Sequence, residues 1–417
     1  MPTQSPSTTL DLSHPKNRRA LLITLTVVAG TWLSSVFHYV LGIYRKYPYP
    51  LNTFLFKPGR RFDDFYGDLD RASLLLRGHS MDMPYSPFGT SLMGLFSLIP
   101  VQKIAFGLAL LSFSVVVIAI LWDHVATEMR GRATVVGLLV TTAIATMSYP
   151  VLFTVDRGNE EIFLFMLLAA FTYLFLKKRS SLAAVALGAA IAYKMYPGVF
   201  IVLFIADRKW KELGIAIAAA IGFEALATLA LSVVSGFSVP QLLQHWYESL
   251  FVGHVGYADT LGAHQHGHSL WGVVTVAYRL VTGAFPSDPM RTAYVVFALV
   301  SFVVLSAYVI RFERTDWKRF TLLFAAMLLL PFESHDYTLV HLLIPIALFA
   351  EAELDKWDFG YALLFGLLLV PLDYVLLIST VSTSSFLYPA LLVAIVCAIV
   401  YQRFAAAGVQ NGALGKA

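Results

Sequence analysis

Long apolar runs dominate the chain and constrain what it can fold into. Eleven runs follow one another, and most approach the ~20 residues that an α-helix needs to cross the hydrocarbon core of a bilayer. Only 13% of the 417 residues are charged, about half the charged fraction of a soluble globular protein. The sequence therefore predicts an all-α, polytopic integral membrane protein. The runs lie roughly at residues 20–44, 101–122, 133–153, 160–176, 181–206, 212–235, 291–311, 319–332, 337–350, 359–380 and 386–404.

The charged residues and the cysteine count argue against two other kinds of site. The net charge is only +4, and the basic residues stand in short clusters between apolar runs. This distribution is typical of cytoplasmic membrane loops and not of a nucleic-acid groove, so we expect no nucleic-acid partner. Cys397, the single cysteine, can form neither an internal disulfide nor a thiolate metal site.

The basic clusters also predict the topology of the membrane domain. All of them can be cytoplasmic at once if residues 181–206 enter the membrane and return as two half-helices broken near Lys194 and Pro197. The chain then makes about 12 membrane passes. Residues 20–404 form one polytopic domain between cytoplasmic tails at 1–19 and 405–417. The clusters comprise Arg130 and Arg132; Lys177, Lys178 and Arg179; Arg208, Lys209 and Lys211; Arg311, Arg314, Lys318 and Arg319; and Arg403.

This topology places two long loops, residues 45–100 and 236–290, on the outer face of the membrane. Within them, residues 87–100 and 269–285 are apolar but too short to span, which is typical of re-entrant or interfacial helices. Almost every histidine beyond the N-terminal tail falls on the same face. Because protonatable groups concentrate there, we expect this face to carry the active site. These histidines are His38, His79, His245, His254, His264, His266, His268 and His335.

An acidic segment at residues 60–78 supplies the candidate base. Asp63 and Asp64 stand among Arg61 and aromatic side chains beyond the first apolar run. A carboxylate in such a setting can have its pKa moved toward the range that a general base needs. The alternative is an amphipathic juxtamembrane helix with ordinary ion pairs three or four residues apart.

Two further segments could bind an anion. Arg157 and Asn159 stand where a helix begins, and free backbone N–H groups at a helix start attract phosphate. The alternative is simple capping of that helix, with Glu160 and Glu161 complementing its dipole. Lys194 interrupts an apolar stretch, where a lysine is costly unless it faces water, a partner or a ligand. Its alternative is a turn at the outer surface, with the ammonium reaching the lipid headgroups.

Two histidine-bearing segments complete the polar residues of the outer face. His264, His266 and His268 alternate, a pattern that can bind metal. A loop that lines a polar cavity and precedes a short helix from Ser269 is the favoured interpretation, since no cysteine supports a metal site. The segment around His335 forms either an interhelical turn or an acid/base or phosphate-binding patch.

Motifs of several common enzyme classes are missing from the sequence. It contains no P-loop, no GxSxG elbow, no HExxH and no dinucleotide-binding glycine pattern. Nucleotide hydrolysis, serine-esterase chemistry and zinc proteolysis therefore have no support. An enzyme without these motifs or a cytosolic domain needs an activated substrate that the membrane itself carries.

The order of several short motifs resembles glycosyltransferase family 87 of the GT-C superfamily, to which mycobacterial phosphatidylinositol mannoside mannosyltransferases belong. The resemblance extends roughly over residues 20–346. It departs at Ser334–Thr338, where the family commonly has Ser-Trp-x-His-His, so that His335 is displaced from the usual histidine positions. The matching motifs are Asp64-Phe65, Gly78, Pro84-Tyr85, Ser86-Pro87, Gly158-Asn159, the small-residue helix that ends in Lys194-Met195-Tyr196-Pro197, and His268-Ser269-Leu270-Trp271-Gly272.

The resemblance implies a GT-C-type transferase that inverts the anomeric carbon of a polyprenyl-phosphate hexose, with mannose favoured. Asp64 is then the general base that deprotonates an acceptor hydroxyl, while His335, Lys194 and Arg157 face the departing phosphate. No metal or other cofactor is implied. The lipid-linked donor is a co-substrate, and the acceptor is a lipid or a glycan. The remaining substrate-binding candidates are Asn159, Tyr85, Asp63, Arg61, His268 and Tyr196.

The compact size and short basic loops predict a bacterial inner-membrane protein, with both termini cytoplasmic and the active site periplasmic or extracellular. The alternative is a transporter or flippase, because a broken helix with an intramembrane charge can form a transport site. No inverted repeat is visible, and the polar residues collect on one face and not near the midplane. The transferase is therefore the favoured interpretation.

Overall fold

A computed structural model describes residues 15–55, 59–83, 85–123, 132–249, 257–258, 260–353 and 355–414. Pro84, Arg130 and His254, together with residues 1–14 and 415–417 of the predicted tails, lie outside the described residues. Within the described residues the chain is almost entirely helical, so the predicted all-α class is confirmed in outline. The one small sheet is an antiparallel hairpin of β1, Leu376–Ile378, and β2, Val381–Ser382.

The described helices follow most of the apolar runs, except that the run at 359–380 is helical only as far as Leu368 and then continues into β1. They are α1 Pro15–Tyr39, α2 Asp63–Leu76, α3 Pro87–Ser97, α4 Gln102–Leu121, α5 Arg132–Met147, α6 Tyr149–Arg157, α7 Glu161–Leu176, α8 Ser180–Tyr193, α9 Ile201–Ala206, α10 Trp210–Ser235, α11 Val239–Tyr247, α12 Leu261–His264, α13 Leu270–Thr282, α14 Asp288–Arg311, α15 Asp316–Leu329, α16 Leu343–Glu351, α17 Asp358–Leu368 and α18 Ser384–Leu414. A π-helical turn, Val40–Tyr44, extends α1, and 3-10 helices occupy Tyr196–Phe200 and Asp336–Leu342.

Among these described helices, five are long and apolar enough to cross a membrane: α1 with its π turn, α4, α10, α14 and α18. A sixth span results if α5 and α6 are counted together, although their axes differ by 50°. The break follows from extended backbone at Ser148 and from Pro150 in the first turn of α6. These spans agree with a polytopic membrane protein. The figure of about 12 passes and the outer position of the long loops stay predictions.

The predicted break in the 181–206 stretch is present. α8 ends at Tyr193, Lys194 is extended (φ −145°, ψ 138°), and the 3-10 helix then leads into α9. Pro197 explains the break, because its ring supplies no N–H and would clash with the Tyr193 carbonyl in a continuous α-helix. The chain therefore presents Lys194 and Tyr196 at a gap between two helices.

Small residues bring α8 directly against α10. A Cβ placed on Gly188 would lie 2.6 Å from Ala219 Cβ and 2.8 Å from the Ala216 carbonyl oxygen. Glycine is therefore required at this position for the two backbones to approach so closely. The contact fixes the direction of α8 and hence the position of the lysine at its end.

The two short apolar stretches in the predicted outer loops are helices, α3 and α13. Each is capped by a serine, since Ser86 Oγ accepts from the Gly89 N–H and Ser269 Oγ from the Gly272 N–H, both at 3.0 Å. The predicted short helix after Ser269 is thus confirmed. Its interfacial or re-entrant position in the membrane stays a prediction.

Candidate active site

The candidate base lies where α2 begins against the end of α6. α6 ends at Gly158 in the left-handed conformation (φ +64°), and the Phe62 N–H donates to the Asp156 carbonyl at 2.9 Å. A Cβ on Gly158 would lie 3.0 Å from Phe62 Cα. Only glycine therefore permits both the turn and the close approach. The contact brings Asp64, in the first turn of α2, against Arg157.

The Asp64 carboxylate accepts three hydrogen bonds. Arg157 Nε donates to Oδ2 at 2.9 Å and Arg157 Nη2 to Oδ1 at 2.7 Å, while Asn159 Nδ2 donates to Oδ2 at 2.8 Å. The Asp64 side chain is 18% exposed and the Arg157 side chain 22%. A bidentate guanidinium fixes the plane of the carboxylate, which orients Asp64 as a proton acceptor. Three residues that the sequence singles out thus form one cluster.

The start of α7 contains the predicted capping contact. Asn159 Oδ1 accepts from the Glu161 N–H at 3.1 Å, so the predicted capping of this helix is confirmed. The Arg157 guanidinium binds Asp64 in a bidentate ion pair. An anion that binds at Arg157 would therefore contact a guanidinium that is already paired with a carboxylate.

Asp63 and Arg61 lie at the rim of this cluster. Asp63 pairs with Arg60 at 2.6 Å across three residues of the chain, and both side chains are exposed. The alternative of local ion pairs is therefore confirmed for Asp63, whereas Asp64 reaches Arg157, 93 residues away. Arg61 Nε lies 3.2 Å from Asp156, and the Arg61 side chain is 55% exposed.

Lys194 lies at the centre of a buried network of charges. Its Nζ lies 2.6 Å from Glu160 Oε1 and 2.5 Å from Glu161 Oε1, and the lysine side chain is only 18% exposed. Tyr196 Oη donates to Glu161 at 2.7 Å, and His341 Nε2 lies 2.6 Å from the same carboxylate. The alternative in which Lys194 reaches toward lipid headgroups is wrong, because the two glutamates at the start of α7 bind the ammonium.

Tyr85 connects this network to α2. Its hydroxyl contacts Asp68 Oδ2 at 2.9 Å and also contacts Glu160, and the Lys194 ammonium lies 5.2 Å from its ring centre. A phenol has one hydrogen to donate, so a proton on one of the two carboxylates completes both contacts. Burial, followed by the charge of Glu160, raises the pKa of Asp68 to about 8. The raised pKa favours Asp68 as the carboxyl that holds this proton.

We expect the Asp68→Asn variant to gain stability relative to the wild type as the pH rises. The unfolded carboxyl releases its proton near pH ~4 and the folded one near pH 8. Ionisation thus favours the unfolded wild type increasingly across this window. An amide does not titrate and can still donate to Tyr85. Thermal unfolding in detergent at pH 5 and pH 8 measures the difference, and an equal variant-minus-wild-type shift at both pH values contradicts the assignment.

Both predicted site histidines have lowered pKa values, although His268 is enclosed and His335 is only half-buried. His268 is enclosed, with Nε2 2.9 Å from Ser334 Oγ and Nδ1 3.3 Å from Asp336 Oδ1, and burial lowers its pKa to about 3. The His335 ring packs on the Tyr337 ring at 5.3 Å between centres. Burial, and then the positive charge of neighbouring groups, lowers its pKa to about 3. His335 can thus hydrogen-bond a substrate but does not supply a positive charge at neutral pH.

The alternating histidines face different partners. His264 Nε2 lies 2.9 Å from the Ala258 carbonyl oxygen, whereas His266 Nε2 lies 3.0 Å from Tyr49 Oη. The three rings therefore do not form one ligand set. The short helix predicted after this segment is present as α13, whereas the polar cavity that the loop would line stays a prediction.

Two grooves lined mainly by apolar side chains flank the polar residues. One, of about 430 Å³, lies between α4, α5 and α6 and reaches Arg61 and Asp156 at its polar end. The other, of about 540 Å³, lies between α8, α10 and α11 and reaches Met195, next to Lys194. Each groove thus joins an apolar surface of the helices to the charged cluster.

Sequence reasoning missed two residues of the polar interior. His341 binds Glu161, and Asp373 accepts hydrogen bonds from Ser382 and Ser384. Both interrupt an apolar run. This is the signal that singled out Lys194, and applied to every run it would have found them.

Comparison with protein families supplies one match. The profile of glycosyltransferase family 87 matches residues 84–332, more than half of the 417 residues. This range contains Arg157, Asn159 and Lys194, whereas Asp64 precedes it and His335 follows it. Neither the curated proteins nor the solved structures include a match to the chain.

Proposed function

The chain belongs to glycosyltransferase family 87, and from that premise we propose that it transfers a hexose from a polyprenyl-phosphate donor to a lipid or glycan acceptor. Membership makes it a membrane glycosyltransferase. We further propose that the hexose is mannose and that the reaction takes place on the outer face of a bacterial inner membrane. The observation that carries the proposal is the partly exposed Asp64 carboxylate, fixed by Arg157 and Asn159.

Asp64 takes the proton in the proposed step. The acceptor hydroxyl oxygen attacks the anomeric carbon and forms the new glycosidic bond, while the bond from that carbon to the phosphate oxygen breaks. The electron pair leaves with the polyprenyl phosphate, and the hydroxyl proton passes to Asp64. A phosphate leaving group departs as an anion, so the reaction needs one general base and no acid. Attack from the side opposite the leaving phosphate inverts the anomeric configuration.

Arg61 and its groove support a lipid-linked donor. The groove that ends at Arg61 is apolar along α4, α5 and α6, so an isoprenoid chain lying in it would keep contact with apolar side chains. The Arg61 guanidinium is half exposed and can then meet the donor phosphate with charge-assisted hydrogen bonds. A water-soluble nucleotide-sugar has no isoprenoid chain that could occupy such a groove.

Lys194 and the tyrosines around it have a positioning role in the proposal. The Lys194 ammonium is shared by Glu160 and Glu161, and these three side chains form a charged wall of the site. Its role is to hold this wall together and not to bind phosphate by itself. Tyr85 and Tyr196 are fixed by that wall, and His335 offers a neutral N–H. Asp63, at the rim of the Asp64 cluster, and the buried His268 have supporting roles.

We expect purified protein in liposomes to transfer label from polyprenyl-phosphate [³H]mannose into a lipid or glycan of the source membrane. GDP-[³H]mannose should leave the acceptor unlabelled, because the proposal requires a lipid-phosphate donor. An α-mannosidase should release the label, since inversion of a β-linked donor gives an α-linked product. Lipid and aqueous extracts of the source membrane, supplied separately, identify the acceptor class.

Two outcomes contradict parts of this proposal. Transfer from a different polyprenyl-phosphate sugar, with mannose inert, overturns the assignment of the sugar. Movement of intact donor across the bilayer without any glycosylated product overturns the transferase and favours the transporter.

A further inference from the structure

A group of three side chains, two of them buried, lies outside the base and lysine clusters. His266, Asp336 and Asp373 each direct one ligand-type atom into a common space, and these atoms lie within 4.8 Å of one another. Asp336 is fully buried and Asp373 is 4% exposed. We propose that His266, Asp336 and Asp373 bind a divalent transition-metal cation. This inference does not depend on the proposed glycosyl transfer.

Two of the ligand-type atoms lack other partners, whereas the Asp336 oxygens already contact Tyr149 and His268. Within the described part of the chain, Asp373 Oδ2 and His266 Nδ1 are buried and form no hydrogen bond. Buried polar atoms are nearly always paired, and an unpaired carboxylate oxygen is costly. A metal ion satisfies both atoms at once.

The opposite side of each ligand is already held. Asp373 Oδ1 accepts from Ser382 and from Ser384, the latter at 2.7 Å. Tyr149 Oη donates to Asp336 Oδ2 at 2.9 Å, and Tyr49 Oη lies 3.0 Å from His266 Nε2. Outer hydrogen bonds of this kind orient metal ligands and fix which imidazole nitrogen is free. Here they leave His266 Nδ1 free to coordinate.

The charge of the group also calls for a cation. Two carboxylates lie close together in the protein interior, and among the described residues neither Asp336 nor Asp373 forms a salt bridge with a lysine or arginine. Burying two like charges together is unfavourable unless a positive charge compensates them. A divalent ion balances the pair.

The donor set indicates the class of ion. One imidazole nitrogen with two carboxylate oxygens suits Zn²⁺ or Mn²⁺, which accept both nitrogen and oxygen ligands, whereas Mg²⁺ and Ca²⁺ prefer oxygen alone. The two chain segments that carry His266 and Asp336 are already paired, because the Asp336 N–H donates to the His266 carbonyl at 2.8 Å. Asp373 precedes β1. The ion would thus connect the segment before the β1–β2 hairpin to the paired segments that carry His266 and Asp336.

Untagged protein, stripped with EDTA in detergent and dialysed against metal-free buffer, provides the test. We expect it to bind one equivalent of Mn²⁺, followed by the loss of the free-Mn²⁺ EPR signal, and to unfold at a higher temperature when Mn²⁺ or Zn²⁺ is added. Asp373→Asn should weaken Mn²⁺ binding by more than about 100-fold, beyond the loss of about 10- to 100-fold that follows removal of an outer partner.

The thermal shift separates lost binding from lost folding. Asp373→Asn removes a buried charge, so the metal-free variant should unfold at or above the temperature of the metal-free wild type, and metal should no longer raise it. The exposed Asp82→Asn is the matched control and should bind as the wild type does. If metal neither binds nor shifts wild-type unfolding, or if Asp373→Asn binds normally, the site is wrong.

Discussion

We expect the Asp64→Asn variant to transfer sugar at least about 100-fold more slowly than the wild type, because a positioned general base contributes about 10²- to 10⁴-fold. Asparagine has the same shape, and its oxygen can still accept from Arg157, but an amide cannot take the acceptor proton. Initial rates of label transfer from polyprenyl-phosphate mannose measure the effect. The KM for the donor should change little, since Asp64 acts on the acceptor.

Asp70→Asn is the matched control for this loss. Asp70 lies on the same helix, is exposed, and accepts a hydrogen bond from Gln102 Nε2 at 2.7 Å. The variant should therefore transfer at the wild-type rate. Thermal unfolding of both variants in detergent shows whether the fold is kept. Wild-type activity in Asp64→Asn means that another group takes the proton, and the assignment of the base is then wrong.

The sequence predicts the members of this site better than their pairing. Asp64, Arg157 and Asn159 are singled out because charged and capping groups beside apolar runs are locally conspicuous. Their hydrogen bonds depend on the contact of Phe62 with Asp156 across the left-handed Gly158. That contact joins segments about 90 residues apart, and no local periodicity encodes it. Side-chain partners therefore had to come from the structure.

The fold shows the same division between local and distant causes. The break after α8 is predictable, since a proline near a lysine interrupts an apolar run. The partners of that lysine are not predictable, because a favourable interaction with the helix dipole explains Glu160 and Glu161 equally well. Asp373 illustrates the remaining case. It lies inside an apolar run, and only the folded chain brings it to His266 and Asp336.

The second large effect that we expect is a loss of stability in Lys194→Met. Removing one partner of a buried ion pair leaves the other charge uncompensated and costs about 3–5 kcal/mol of unfolding free energy. Here two carboxylates depend on one ammonium, at 2.6 and 2.5 Å. Methionine keeps the length of the side chain, so the packing changes little. Denaturant unfolding in detergent at pH 7 measures the difference.

A second substitution separates this charge effect from damage to packing. Lys194→Met combined with Glu160→Gln removes one of the two uncompensated charges, while the glutamine can still contact Tyr85. The double variant should recover part of the lost stability. If the loss came from damaged packing instead, the double variant would be as unstable as Lys194→Met or more unstable. Lys211→Met, at an exposed lysine in the first turn of α10, should unfold like the wild type. If Lys194→Met is as stable as the wild type but binds the donor weakly, Lys194 is a direct phosphate ligand instead. The proposed division of roles between Arg61 at the phosphate and Lys194 in the wall is then reversed.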